Sequence, residues 1–487
     1  MKNKKKANRD FYPAEKQDWD DETLYQAVKK LSEISDIIFI KITKNQDFTE
    51  YSRNCPKPWI SKKTPLKVII LWNASPIDPA SILSWRCGLI EEKEIIYRFL
   101  FIPGNTPEDW EEWIKSQISD WFLPAIKKEK IGLKVGQWII YNPENPFAQI
   151  AGYDPAFLTI PPSGRMSEVL DQLDECKAVY LEVMGQKTKE RRKMVLAEID
   201  NLLRFSFKVG NEDFNLNDEV NSISKLIKDA LEQNKFYVDR NRLPKVLLLG
   251  PSGVGKTLIA RYLAWHMTQG TSDDQSRPFR RIPIPEYLER EDVFEYDMFG
   301  WCAGTYTGSS PLGGKGFLME SLGGIVFFDE IGDASPQIQA KLLAYLDDYQ
   351  VTPRGWYGSP VFCPTLVVAA TNLPIDKWTK NIPGDVNYFR NDLFRRFNFI
   401  IHVPSLNERK DKFNLIIDAM LNLPAFNPGI KIKEVGKKAL KKIVDTDFDK
   451  GNFRDLEILL RTACRNATKE GRSYIVEKDI IKGEETV

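Results

Sequence analysis

The sequence predicts an α/β protein whose core is a parallel sheet carrying a phosphate loop, followed by a helical C-terminal segment and preceded by an α+β domain. Three observations carry this reading. The apolar run "KVLLLG" (245–250) leads at once into "GPSGVGKT" and then into "LIARYLAWHM" in helical period. Two more apolar runs, "GGIVFFDE" (323–330) and "TLVVAATN" (365–372), end in polar residues, where open α/β sheets bind ligands.

A chain of 487 residues is too long for one core, so two or three domains are expected. Lys plus Arg number 69 against 68 for Asp plus Glu, a net charge of +1, so no global field favours nucleic acid or an anionic membrane. The basic start (Lys2, Lys4, Lys5, Lys6, Arg9) reads as a solvated tail. No apolar run approaches the roughly 20 residues that cross a bilayer, and the first 30 residues lack the apolar centre of a signal peptide. A cytoplasmic location is expected. The six cysteines are scattered without a CxxC pair, which disfavours a disulfide framework or a zinc site and reads as reduced, mostly buried thiols. Only His266 and His402 are present, so His-based triads and His-rich metal sites are disfavoured.

Residues 1–160 alternate strand-like runs at 37–42, 67–72, 95–102 and 137–141 with helical segments. The clearest helix follows Thr106 as cap, with Pro107 at the first helical position and Trp110, Trp113, Ile114, Ile118, Trp121 and Phe122 on one face. Eight of the twelve tryptophans lie in this region, and core packing accounts for them better than base stacking does. The segment shows no phosphate loop, metal cluster or catalytic constellation. "TIPPSGR" (159–165) marks a break, beyond which 166–207 reads as helix. Its apolar positions are Val169, Leu170 and Leu173, then Met194, Leu196, Ile199, Leu202 and Leu203, split by "KTKERRK". A connector, a helix pairing with its copy, or one more packed helix of the first domain all fit.

The chemistry lies in the glycine loop. Gly250, Pro251, Ser252, Gly253, Val254 and Gly255 form a loop whose backbone N–H groups point at phosphate oxygens beside a helix N-terminus. Lys256 is placed to reach the β- and γ-phosphates of ATP and Thr257 to ligate Mg²⁺. Asp329 is expected to hold the metal through water. Glu330 is expected to orient and deprotonate the attacking water. Asn372 can report the γ-phosphate, or else cap the turn ahead of Pro374.

One further stretch, "MFGWCAGTYTGSSPLGG" (298–314), carries an aromatic between glycines with no local partner for its ring. Together with the phosphate loop, "DEIGD" and "AATN", it resembles the AAA+ ATPase domain of the bacterial sigma-54 activators, also called enhancer-binding proteins, over roughly residues 215–480. That family carries GAFTGA at the tip of an insertion and presses its aromatic and threonine on the sigma factor. Gly304, Thr307 and Gly308 match, and Tyr306 keeps the aromatic; Thr305 and Ser309 replace alanines. "FRNDLFRRFN" is similar to the family's FRxDLxxRL, which implies that Arg390 and Arg396 reach a neighbouring subunit's nucleotide. "VPSLNERKDKF" is similar to the turn into the helical lid, and "GNFRDL" nominates Arg454 as the lid arginine that senses nucleotide. The implied organisation is an N-terminal α+β domain and sensor (1–160), a helical connector (161–216), a P-loop AAA+ core (217–402) and a helical lid (403–487), assembled as a ring, with a hexamer expected.

The sequence also departs from the family. Pro283 or a neighbour stands where an asparagine usually couples the catalytic glutamate to the loop, and GPSGVGKT replaces GESGTGKE. The short segment after "SYIVEKDI" leaves no room for the usual helix-turn-helix, so no DNA-binding domain is expected. Two functions fit: a sigma-54-dependent transcription regulator, or a sigma-54-independent remodelling ATPase of a stress or anti-phage defence module. A nucleotide-gated scaffold without turnover fits poorly with Lys256, Asp329 and Glu330 intact.

Overall fold

The structure is a computed structural model of the chain and describes residues 36–42, 66–73, 96–103, 131–135, 138–140, 165–185, 189–204, 216–267, 279–305, 312–381, 385, 387–421 and 425–481. Gly164–Ser405 forms one compact unit, and the other gathers residues of Met1–Ser163 and Leu406–Val487. The helix after Thr106 and its aromatic face lie outside the described residues, as do Tyr306, Thr307 and Gly308.

The first four expected strands are present as β1 (Asp36–Ile42), β2 (Leu66–Asn73), β3 (Ile96–Pro103) and, later in the chain, β5 (Trp138–Ile140). They pair in the order β1-β2-β3-β5, every pair parallel. Parallel neighbours require crossover connections, so the α+β expectation narrows to a parallel sheet. Between β3 and β5 the chain leaves this sheet. Strand β4 (Ile131–Lys134) runs antiparallel to Glu434–Gly436 of the C-terminal segment, and Val135 N–H donates to Lys433 O at 2.8 Å. Leu133 and Val135 are buried there, the alternation expected of a strand with one face in a core.

In the Gly164–Ser405 unit, α1 (Arg165–Met184) and α2 (Lys189–Leu203) come first. Helix α1 buries Met166, Val169, Leu173, Cys176, Tyr180 and Met184, one stripe at three- and four-residue spacing. On α2 the buried set is Val195, Ile199, Leu202 and Leu203, while Met194 is 57% exposed. Position 195 is four residues before 199 on the helix, and 194 turns a full 100° away from it. These helices pack on the phosphate-loop unit. Tyr180 Oη donates to Gly324 O at 3.1 Å, and Arg192 Nε donates to Leu322 O at 3.2 Å, both just ahead of the strand that ends in Asp329.

Helix α3 (Leu216–Gln233) leads to β6 (Lys245–Leu249), α4 (Lys256–Met267), β7 (Phe279–Pro283), α5 (Glu291–Phe299), β8 (Ile325–Asp329), α6 (Pro336–Asp348), β9 (Leu366–Thr371) and β10 (Phe399–His402). The five strands form one parallel sheet in the order β10-β6-β9-β8-β7. Every residue of β6, β8 and β9 is buried, which is why these three read as unbroken apolar runs. The edge strands β7 and β10 are partly exposed and carry polar residues. Helix α6 starts by rule: Ser335 Oγ accepts from Ile338 N–H and Pro336 occupies the first turn.

The C-terminal segment holds α7 (Phe413–Leu421), β11 (Glu434–Gly436), α8 (Lys437–Asp445), α9 (Phe453–Lys469) and β12 (Tyr474–Ile475), with sheet order β12-β11-β4. Buried Asn452 of "GNFRDL" accepts from Leu406 N–H at 2.8 Å through Oδ1, which ties that motif to the "PSLNER" turn. The four described cysteines are free and buried. Burial pushes the thiols of Cys176, Cys302 and Cys464 up to about 12 and that of Cys363 higher, so they are inert as nucleophiles.

The β4–β11 pairing has a sharp steric test. A Cβ on Gly132 would stand 2.8 Å from Lys437 Cα, a backbone atom that cannot yield cheaply. Gly132→Val is therefore expected to lift β4 away, and hydrogen exchange of the full chain checks it. Amides of 131–135 and 433–436 should lose protection while 245–249 keeps it; unchanged protection at 433–436 would refute the pairing.

Candidate functional site

The site forms at the carboxyl ends of β6, β8 and β9, where three buried strands surface side by side. After β6 the chain turns through Gly253 (φ 78°) and Gly255 (φ 97°), left-handed conformations that favour glycine. Val254, fully buried, anchors the loop between them, while Pro251 is exposed and Ser252 half-buried. Gly250 is required for a different reason: a Cβ there would meet Val403 O at 2.6 Å.

Lys256 opens α4 and is buried, with its Nζ donating to Gly250 O at 2.8 Å and Pro251 O at 3.1 Å. The ammonium is thus held over the loop, at the N-terminus of a helix whose dipole favours anions. Thr257 Oγ1 lies 3.5 Å from Asp329 Oδ2. These are hard oxygen donors at a spacing that a Mg²⁺ ion shared with phosphates can use, since that ion takes one or two protein ligands and keeps waters. Among the described residues no group of three or more His, Cys, Asp or Glu converges on a metal position.

Glu330 adopts φ 55°, ψ 51°, an uncommon left-handed conformation for a residue with a side chain. This turn brings its carboxylate back over the sheet edge, where Oε2 accepts from the backbone N–H of Asn372 at 3.1 Å. This contact is made by the Asn372 main chain, not by its side-chain amide. Thr371 Oγ1 accepts from Leu373 N–H, and the short helix Ile375–Trp378 has no side-chain cap, so the capping alternative for Asn372 is not realised.

Arg390 and Arg396 each have an intrachain partner. Arg390 Nε and Nη2 donate to the Asp392 carboxylate at 3.0 and 2.7 Å, which raises the guanidinium's affinity for its proton and holds the Asp392 carboxyl below its usual range. Arg396 pairs with Asp347. Both arginines remain substantially exposed, so these pairs are cheap to exchange. Arg454 sits in the first turn of α9, in the other unit.

The insertion carrying the aromatic leaves the core between α5 and β8. Its neck is a two-rung antiparallel ladder, Gly300–Trp301 against Gly314–Lys315. Gly300 has φ 81°, and a Cβ there would meet Gly314 O at 2.5 Å, so side chains are excluded where the strands cross. The neck is tied on two sides. Ala303 N–H donates to Leu203 O at 2.7 Å on α2, and Cys302 N–H donates to Arg354 O at 2.8 Å. Gly304 follows at φ 72°, and among the described residues nothing lies within 4 Å of where its Cβ would stand.

Two contributors escaped the sequence reading. Arg281 on β7 reaches Asp329 Oδ2 with Nε at 2.9 Å and Nη2 at 2.7 Å. Gln339 on α6, 1% exposed, accepts from Arg390 N–H at 2.8 Å and donates to Ala334 O at 2.8 Å. Both act across elements distant in sequence. The only local sign was a polar residue in a strand or on an apolar helix face.

Loop, acids and strand order (5-1-4-3-2 when the five strands are numbered along the chain) define a P-loop ATPase of the AAA+ class. The family described as the sigma-54 interaction domain matches residues 220–402, and the chain belongs to the AAA+ ATPases of the sigma-54 activator family. It is 33% identical over 217 residues to an uncharacterized protein in the HyuA 5' region of Pseudomonas sp. (strain NS671), covering 44% of this chain and 67% of that one. It is 31% identical over 245 residues to the DNA-binding transcriptional regulator NtrC of Proteus hauseri, covering 49% of each. The match thus spans about half the length of the NtrC relative. NtrX from Brucella abortus, crystallised with ADP, aligns with a TM-score of 0.45 and 16% identity over 92% of this chain and 76% of its own. Among the described residues no helix is long and apolar enough to cross a membrane.

Gln339 gives this geometry an energetic test. Gln339→Ala leaves the Arg390 N–H and the Ala334 carbonyl without partners inside the fold, a loss expected to cost about 1–3 kcal/mol. Urea unfolding of the full chain measures it; a change under about 0.5 kcal/mol, the level of a neutral surface substitution, would contradict the role.

Proposed function

We propose that the protein hydrolyses Mg²⁺-ATP at a seam between subunits of a ring, and uses the energy to move the 304–309 finger against sigma-54 RNA polymerase. The observation that carries this reading is the convergence of Lys256, Thr257, Asp329 and Glu330 on one sheet edge, in a unit that also bears the glycine-necked insertion.

In this reading the loop N–H groups and Lys256 bind the β- and γ-phosphates, and Ser252 and Thr257 flank them. Thr257 and Asp329 would hold Mg²⁺, which would supply positive charge beside the phosphates. Glu330, already aimed across the edge by its left-handed backbone, accepts the proton of the attacking water. Asn372 reports the γ-phosphate through the same segment whose N–H engages Glu330. Arg390 and Arg396 exchange Asp392 and Asp347 for the phosphates of a neighbour, and Arg454 reads the nucleotide from the lid. An arginine supplied in trans is worth about 10³ to 10⁵ in rate, which makes hydrolysis depend on assembly. Residues 1–160 act as a sensor, 161–216 as the connector, 217–402 as the motor and 403–487 as the lid. Residue 306 supplies the aromatic, and Gly304, Thr307 and Gly308 shape its tip.

The decisive experiment is capture of partners by the full chain with ADP and aluminium fluoride. Sigma-54 should be retained by the wild type and lost with Tyr306→Ala, while ATPase activity persists. Retention of a different protein in place of sigma-54 would favour the sigma-54-independent remodelling ATPase. Tyr306→Ala that keeps full binding removes the docking role.

Turnover tests the site itself. Glu330→Gln is expected to bind ATP with unchanged affinity and to lose at least 10²-fold in kcat, in line with loss of a general base. Arg390→Ala should be inactive alone, yet mixing it with Glu330→Gln should restore part of the activity, because each subunit then supplies what the other lacks. Absence of any rescue at all mixing ratios would contradict the shared seam.

A further inference from the structure

The edge strand β7 carries two adjacent arginines with opposite tasks. Arg280 lies over the Phe317 ring at 3.6 Å and serves packing. Arg281 points the other way, as alternation along a strand requires. Across the parallel ladder Arg281 is the partner of Phe327, and Pro283 that of Asp329, so residues 281 and 329 share one face of the sheet two rungs apart. That distance suits a guanidinium on a three-carbon stem.

The contact converges on a single atom. Arg281 Nε and Nη2 both reach Asp329 Oδ2, at 2.9 and 2.7 Å, and Thr257 Oγ1 approaches the same oxygen to 3.5 Å. The Asp329 side chain is 9% exposed, whereas that of Arg281 is 48% exposed. A nearly buried carboxylate oxygen thus carries a charge-assisted pair from a side chain that is half in solvent. An ion pair placed only to brace the edge strand has no need of this oxygen; the β7–β8 ladder already runs over five rungs.

We propose that Arg281 is a positioning residue of the nucleotide site, whose guanidinium competes with the divalent cation for Asp329 Oδ2 and so sets the cation concentration at which the site fills. The inference rests on the reading of Asp329 as the carboxylate that serves the cation. Competition has two parts: the oxygen must be released, and a unit positive charge stands beside the incoming ion. Partial solvent screening keeps the combined effect near tenfold in affinity.

The test measures binding on the full chain, with Mn²⁺ as the paramagnetic probe titrated at saturating ADP, and with ADP affinity in EDTA as the check on folding. Arg281→Met is expected to bind Mn²⁺ about tenfold more tightly with ADP affinity in EDTA within about twofold of wild type. Arg281→Lys, which keeps the charge, should fall between the two. Mn²⁺ affinity that is unchanged or weaker in Arg281→Met overturns the proposal. If that variant fails to bind ADP, Arg281→Gln replaces it and is read by the same criterion. Asp329→Asn separates the two levels of inference: it should weaken Mn²⁺ binding strongly, and if it does not, the cation assignment itself fails.

Discussion

Parallel pairing of three fully buried strands is the constraint on which this molecule depends. Strands β6, β8 and β9 have no solvent face, so their middles are apolar, and the polar residues assigned to the chemistry stand at their carboxyl ends. The register then does the aligning. Leu249 pairs with Thr371, and Asp329 with Ala370, so the glycine loop, Asp329 and Asn372 emerge within a few ångströms of one another without any long loop having to be ordered. The site is placed by the same hydrogen bonds that close the core.

Charge at that edge is handled in two ways that differ in cost. The groups at the strand ends are tied to partners that form part of the fold: buried Lys256 to the loop carbonyls, buried Asp329 to Arg281, and half-buried Glu330 to a main-chain N–H. An unpaired buried charge would be expensive, and these contacts meet that cost while keeping each group aimed. Arg390 and Arg396 instead pair with exposed aspartates, contacts worth about 0–1 kcal/mol each. Groups proposed to act within their own subunit are locked, and the arginines proposed to serve a neighbour are held loosely. Gln339 reconciles the two for Arg390: it fixes the backbone while leaving the guanidinium free to change partner.

The three central strands, the phosphate loop and the acidic pair were legible because each is a local signal, an apolar run followed by residues with one chemical purpose. The edge strands were not. β7 reads "FRRIP", its apolar run broken by two arginines, and β10 reads "FIIH", only four residues long, so neither stands apart from loop. Arg281 was invisible for the same reason: its meaning comes from a neighbour 48 residues away. On α2 composition does not separate Met194, which is 57% exposed, from its neighbour Val195, which is buried. Glu330 was named for its chemistry, but its left-handed backbone, which decides where the carboxylate goes, leaves no mark in composition.

Least legible of all was β4. "IGLK" is a weak strand by propensity, and it becomes one because β11 offers an open edge at which Leu133 and Val135 can be buried. Its position has a mechanical consequence. Only residues 135–137 separate β4 from β5, and β5 is paired to β3 in the N-terminal sheet. A linker that short spans at most about 14 Å even when fully extended. Any displacement of the N-terminal sheet larger than that slack must pull on β4 or break its ladder, and through Gly132, packed against Lys437, it bears on the first turn of α8. The N-terminal sheet and the C-terminal sheet are therefore joined by a three-residue link between adjacent strands, a covalent and hydrogen-bonded connection between them.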